Sequence, residues 1–305
     1  MSVRTEGKKQ SRFIKDLPIH LFILPSIILL LIFNYMPMAG IILAFQDYKP
    51  RLGLFHSPWV GLEHFRYLFT YPDSKQVIWN TFLIASLKIV ANTVIPIGFA
   101  LLLNEIRLLV FKRSVQTLVY LPHFLSWVIL GGILTDLLSN KGLANQALGW
   151  LGIPSIYFLG DGDWFRFTLI VSDVWKEFGF STIVYLAALT GVNQSLYEAA
   201  EIDGAGRWKQ TLNITLPALI PVIVVIMTLS LGNILNAGFD QIFNLYNPLV
   251  YREGDIIDTF VYRVGLMNGS FSFATAVGLF KSVVSFILIV VSYTIAYRWG
   301  NYRIF

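Results

Sequence analysis

The residues best equipped for chemistry in this chain lie inside apolar runs rather than in a polar cleft. The stretch SDVWKEFG sets Asp173, Trp175, Lys176 and Glu177 about 10 to 16 Å into a run that begins at Phe167, by helical rise. Charges at that depth are expensive, so each is either paired to lock a bundle or set in the wall of a polar pathway. Lys176 stands three residues after Asp173 and can pair with it along one helical face, which leaves Glu177 needing another partner or water. A second set comprises Asn233, Asn236, Asp240 and Gln241, with Tyr246 just beyond. Amides, carboxylates and aromatic faces are the groups that hold polyhydroxylated rings. On one continuous helix Asn233, Asn236 and Asp240 share a face, which fits a polar stripe toward a pathway; hydrogen bonding between helices is the structural alternative. Lys88 and Lys281 could snorkel or pair, and no role is assigned to them.

Other chemistries lack their residues. There is no cysteine, so thiol nucleophiles, thiolate metal sites and disulfides are excluded. His20, His56, His64 and His123 are scattered with no ligand spacing, and no metal site is expected. No nucleophile elbow of the GxSxG type occurs. No GxxxxGKS or GxxxxGKT phosphate loop occurs either; GAGRWK at Gly204 is a half-match without a preceding strand. The expectation is binding and passage rather than catalysis, with no catalytic residue and no cofactor held by this chain.

The elements that must position these groups are membrane helices. Of 305 residues 55% are hydrophobic and 13% charged, against roughly 25% charged in soluble domains. About 20 apolar residues cross a hydrocarbon core, and six runs qualify: 20–44, 82–103, 118–138, 167–189, 218–237 and 273–297. The basic start (Arg4, Lys8, Lys9, Arg12, Lys15) precedes an apolar run too long for a signal peptide, and reads as an uncleaved first helix. Lys and Arg are more frequent on the segments that share a side with that start, including Arg107, Lys112, Arg113, Arg207, Lys209, Arg298 and Arg303. That bias places both termini in the cytoplasm. The expected fold is an all-α integral membrane protein of six transmembrane helices. Its segments are an N-terminal cytoplasmic piece (1–18), a first helix with its outer loop (19–79), a five-helix core (80–297) and a short cytoplasmic tail (298–305). The three outer loops are long and rich in aromatics, which suits a membrane interface or a partner.

One inner loop stands apart: YEAAEIDGAGRWKQTLNITLP, residues 197–217. SLYE at Ser195 to Glu198 matches a capping box that would start a helix at Leu196, and Gly204 can end it in the left-handed conformation. A second short helix from about Arg207 leads through Leu216 and Pro217 into the fifth span. Two helical turns are marginal alone in water. Ala199 and Ala200 allow another backbone to approach, while Leu196, Tyr197 and Ile202 offer apolar knobs. The loop is therefore either a helix for a partner's groove or a hairpin tucked under its own bundle.

This loop closely resembles the EAA signature of permease subunits in binding-protein-dependent ABC importers. Glu198, Ala199, Ala200, Asp203, Gly204, Ala205, Ile214, Leu216 and Pro217 fill the pattern, with Thr215 at its free position. NYMPMAGIILAFQDYKP, SPWVGLEHF and VWKEFGFSTIVYLAAL extend the resemblance over nearly the whole chain, toward the carbohydrate-uptake branch that serves oligosaccharides or polysaccharide fragments. The resemblance implies the type I importer permease fold in a bacterial cytoplasmic membrane. It implies a second homologous permease, two ATP-binding subunits that carry the ATP and Mg, and an extracytoplasmic solute-binding protein; no nucleic acid is involved. The EAA helix would then couple to the ATPase, Glu198 meeting basic groups of its cleft. An ion-coupled secondary transporter using Asp173 and Glu177 remains the alternative reading.

Overall fold

The computed structural model describes residues 17–300 of the chain. The basic residues Arg4 to Lys15 and Arg303, which carry part of the orientation argument, lie outside them. In lipid every backbone polar group must be paired internally, and among the described residues the apolar runs are all helical. The only β pairing there is an isolated bridge between Gln46 and Trp59, in the segment after the first apolar run.

Helix α1 (Leu17–Leu30) continues through a π turn at Leu31–Tyr35 into a 3-10 stretch at Met36–Phe45. Its flanks stay exposed, with Leu21, Phe22 and Phe33 uncovered, and only the far end, with Ala44 buried, reaches the body of the protein. Helix α2 spans Ser74–Glu105, beginning well before the expected Phe82 because its first turns carry Asn80 and Thr81 on a buried face. The expected single span 118–138 is broken. Helix α3 (Leu109–Tyr120) passes into a 3-10 turn at Leu121–Phe124, and α4 (Trp127–Leu137) leaves at 103° to it. Pro122 lies in that turn, Leu125 is extended, and the Ser126 hydroxyl accepts the Ile129 N–H to start α4 afresh.

Helix α5 (Gly162–Thr190) is capped by Asp161, whose carboxylate accepts the Asp163 and Trp164 N–H groups. Helix α6 (Gln194–Ile202) is the loop helix. After it a turn of helix at Arg207–Gln210 widens into a π turn at Thr211–Thr215 and runs on as α7 (Leu216–Gly232). The π turn precedes Pro217, whose missing N–H and bulky ring disturb the hydrogen-bond ladder there. Helix α7 stops at Gly232 rather than at Ala237; the chain turns through Gly238, at φ +97°, into the short α8 (Phe239–Leu245). Helix α9 (Phe271–Gly300) closes the chain.

Among the described residues, four helical stretches are long and apolar enough to cross a membrane: His20–Phe45, Ser74–Glu105, Arg207–Gly232 and Phe271–Thr294. The bent pair α3–α4 makes a fifth if it is counted as one span. Helix α5 has 29 residues, about 44 Å by helical rise, but carries the charges of Asp173, Lys176 and Glu177. The protein is multi-pass and helical. Helices α2 and α5 form its most extensive pairing, with Ile84, Phe165, Leu169 and Ile242 fully buried around them. Close approach elsewhere depends on glycine: a Cβ on Gly179 of α5 would stand 2.4 Å from the Val119 carbonyl oxygen of α3.

Candidate functional site: a polar cavity and an exposed loop helix

A cavity of about 520 Å³ opens between α2, α5 and α7. Its wall includes Lys88 and Asn92 from α2, Asp173 and Tyr185 from α5, and Asn233 and Asn236 from the bend after α7. Of the residues expected along a pathway, Asp173, Asn233 and Asn236 meet here. The single helix expected to carry Asn233, Asn236 and Asp240 does not exist, because Asn233 caps α7 and Asp240 belongs to α8. Asn236 instead donates back to the Asn233 side-chain oxygen at 3.3 Å.

Asp173 does not pair with Lys176. Its partners come from α2: the Lys88 ammonium at 3.1 Å and the Asn92 amide at 2.8 Å. Lys88, only 7% exposed, also donates to the Ala237 carbonyl at 2.8 Å and to Gln241. One buried lysine thus ties together α2, α5 and the bend leading to α8. Gln241 is fully buried and spends its amide N–H groups on the Leu169 carbonyl and the Ser172 hydroxyl, so it braces α8 from outside the cavity.

Lys176 reaches Glu177 at 3.1 Å and the His123 carbonyl at 2.7 Å, and Glu177 meets the His123 ring at 2.7 Å. The ring itself stacks on Phe180, with centroids 4.0 Å apart. These contacts pin the 3-10 turn between α3 and α4 to α5 and so fix the 103° bend. Asp173 and Glu177 therefore serve different neighbours. Each carboxylate is committed to protein cations, which removes the paired ligand set that an ion-coupled mechanism needs. Trp175 and Asp240 are exposed, and Tyr246 packs against Phe243 and Tyr251 away from the cavity. Burial pushes the Tyr246 phenol up to about 12.

Sequence reasoning misses a polar knot between the first turns of α2 and α5 and residues 252–263. The Asn80 amide donates to the Arg252 and Asp255 carbonyls at 2.9 and 3.1 Å, while its oxygen accepts from Arg166 at 2.9 Å. Asp255, 1% exposed, accepts from Thr259 and from Arg263. Burial raises its carboxyl above the ordinary range, against the pull of Thr259 and Arg263. Asn80 and Arg166 stand near the starts of long helices, in polar stretches whose long-range partners no local spacing reveals.

The loop helix α6 starts one cap earlier than SLYE suggests. Asn193, not Ser195, is the cap, its side-chain oxygen accepting the Ser195 N–H at 3.0 Å. The stop at Gly204 is as expected: φ is +76°, the Gly204 N–H donates to Glu201 and the Ala205 N–H to Ala200, a complete Schellman closure. The Tyr197 hydroxyl bonds Thr215 at 3.0 Å, tying α6 to the π turn before α7. Arg207 pairs with Glu105 at the end of α2 at 2.8 Å. Glu198 and Ala199 are exposed and Ala200 is half-buried; Ile202 is 87% and Trp208 74% exposed. Asp203 caps the C-terminus in the open, Ala205 is half-buried, and Ile214, Leu216 and Pro217 form the approach to α7. Leu196, Ala199 and Ile202 thus leave exposed small and apolar side chains, three residues apart, on a short, closed helix.

The family described as binding-protein-dependent transport system inner membrane component matches residues 92–304. The chain is 45% identical over 295 residues to the polygalacturonan/rhamnogalacturonan transport system permease protein YteP of Bacillus subtilis (strain 168), covering 96% of this chain and 92% of that one. It is 42% identical over 292 residues to Protein LplB of the same organism, covering 95% and 92%. Among solved structures it resembles a bacterial ABC transporter involved in the import of the acidic polysaccharide alginate, with a TM-score of 0.87, 39% identity and coverage of 94% of this chain and 98% of that one. A second crystal structure of the alginate transporter, in complex with an alginate pentasaccharide-bound periplasmic protein, matches with a TM-score of 0.86.

Proposed function

The chain belongs to the family of binding-protein-dependent transport system inner membrane components, and from that membership we propose how it works as the permease subunit of a carbohydrate ABC importer. It forms half of a pathway for an oligosaccharide or polysaccharide fragment, beside a second homologous permease in a bacterial cytoplasmic membrane. Six helical spans cross that membrane, α5 and the bent α3–α4 pair included, with both termini and α6 inside. In this reading the segments expected from the sequence are kept as a working division: 1–18 and 298–305 cytoplasmic, 19–79 the first helix and its loop, and 80–297 the core, although α2 already begins at Ser74. Relatives named for polygalacturonan, rhamnogalacturonan and alginate support the substrate class.

The observation that carries the coupling role is α6 itself: closed at both ends, with Leu196, Ala199 and Ile202 exposed beside Glu198, and anchored to the turn before α7 through Tyr197 and Thr215. Two ATP-binding subunits, which hold ATP and Mg, seat this helix, with Glu198 facing basic groups and Ala199 and Ala200 allowing close approach. Gly204 and Ala205 form the turn, and Ile214, Leu216 and Pro217 pass the displacement into α7, which walls the cavity. Closure of the ATPase pair shifts the bundle between two packed arrangements, and a solute-binding protein delivers the sugar on the far side. In this reading the chemistry of ATP hydrolysis stays with the ATP-binding subunits, and among the described residues no His, Asp or Glu cluster could hold a metal ion.

The absence of cysteine makes the test simple. A single Ala199→Cys, in the complete complex with one cysteine placed around the ATPase cleft, should crosslink in a nucleotide-dependent way. An Ala199→Cys that labels freely in solution and never reaches the ATPase, in a complex that still transports, would rule out the coupling role.

A further inference from the structure

The apolar run of α2, 82–103, is by itself long enough to cross a hydrocarbon core of about 30 Å. Glu105, the last residue of the helix, then stands at the level of the lipid headgroups. Arg207 holds it there at 2.8 Å, so the chain leaves α2 on the same side of the protein as α6.

The next residues, Ile106 to Arg113, read IRLLVFKR and include the first turn of α3. Leu108, Leu109, Val110 and Phe111 are all exposed, Leu108 by 74% and Val110 by 82%. Basic residues flank them: Arg107 before, exposed, then Lys112, half-buried, and Arg113, exposed. Among the described residues none of these three cations makes an ion pair. From Ile106 to Thr135 the chain has no Asp or Glu that could supply one. Phe111 and Leu118, seven residues apart on α3, carry the exposed apolar strip further along the helix.

Cations alone make an ordinary solvated surface, and apolar side chains alone fit any apolar cover. Together they specify a cover that is anionic at one depth and hydrocarbon at the next, which is the layering of a phospholipid leaflet. The direction of the side chains favours lipid over a protein groove. Consecutive residues of a helical turn point to different sides, so one groove could not cover all four, whereas fluid acyl chains close around them.

We propose that the segment Arg107 to Arg113 binds an anionic phospholipid in the leaflet on the side of α6. Leu108 to Phe111 lie among the upper acyl carbons, and the three cations reach back along their aliphatic stems to the phosphate. The Glu105–Arg207 pair joins this segment to the chain that leads from α6 into α7, so the bound lipid also steadies the base of α6. The site goes beyond the importer reading and takes from it only that this leaflet is the cytoplasmic one.

The test uses the complete complex in nanodiscs, with the partner subunits freed of cysteine and Val110→Cys carrying a bimane fluorophore. Spin-labelled phosphatidylglycerol and spin-labelled phosphatidylcholine serve in turn as quenchers. The anionic lipid should quench about fivefold more strongly than the neutral one, the gain expected from even one basic side chain at an anionic surface. That excess should vanish when Arg107→Gln, Lys112→Gln and Arg113→Gln are combined, and shrink as salt is raised. Lys141→Gln, which removes a cation elsewhere, should leave it unchanged. Equal quenching by both lipids in the parent would overturn the site, as would an excess that survives the triple variant. A probe that neither lipid quenches would overturn it too, and its response to iodide would show whether water or a protein subunit covers the segment. ATP hydrolysis that loaded binding protein fails to stimulate in the same discs would sink the importer reading while leaving the lipid contact standing.

Discussion

The Lys88 ammonium stands 3.1 Å from the Asp173 carboxylate, joining the two helices that pack most closely in the protein. The same ammonium holds the Ala237 carbonyl, so the pair also fixes the bend where α7 gives way to α8. Removing one member of such a buried pair leaves an uncompensated charge, which costs about 3–5 kcal/mol. Lys88→Met is expected to lower the melting temperature of the purified complex sharply or prevent assembly. Lys88→Met combined with Asp173→Asn should recover most of the loss, and a double variant as unstable as the single one would show that the charge pair is not what holds the helices.

Gly204 has φ +76°, and a Cβ added there would meet nothing within 4 Å, so substitution meets backbone strain alone. Gly204→Val should cost about 1–2 kcal/mol locally and uncouple ATP hydrolysis from uptake. Gly204→Asn, which tolerates the left-handed region, should retain most coupling. Equal transport-to-hydrolysis ratios in Gly204→Val and the parent would refute the hinge.

Gly179 is a different case, because its constraint is contact. Its added Cβ would press on the Val119 backbone of α3, and Gly179→Ala should destabilise by about 1–3 kcal/mol through forced separation of α3 and α5. Thermal unfolding measures the cost. Pairing it with Val119→Ala should give little rescue, since the backbone oxygen and not the valine side chain is the nearest atom.

Asn80 is 0% exposed and bonds the Arg252 and Asp255 carbonyls as well as Arg166. Asn80→Leu strands these groups, each worth about 1–3 kcal/mol. Faster proteolysis between Arg252 and Arg263, at unchanged cleavage elsewhere, is the expected readout.

The contrast between Gly204 and Asn80 explains what the sequence discloses. The closing glycine of α6, the small residues beside Glu198 and the course from Arg207 into Pro217 are local features, and each is where its spacing puts it. The start of α6 is ambiguous in the sequence because Asn193 and Ser195 are both competent caps and only tertiary placement chooses between them. Asp173 is visible as a charge within an apolar run, but its true partner lies on another helix, and spacing within one helix points to Lys176 instead. Asn233 and Asn236 do reach the cavity, for a reason that helical periodicity does not supply: α7 ends before them. The bend at Pro122 is hidden in a hydrophobic run that reads the same whether straight or broken.

Helix α6 carries its own termini, Asn193 at one end and the Gly204 closure at the other, and hangs from α7 by the Tyr197–Thr215 bond. Its shape is therefore settled before anything touches it. Under the proposed coupling role, an ATPase that docks on it would lose little affinity to freezing a floppy segment, so seating could be tight while using only a few exposed side chains, and every small rotation of the socket would be delivered to the bundle instead of being absorbed by slack.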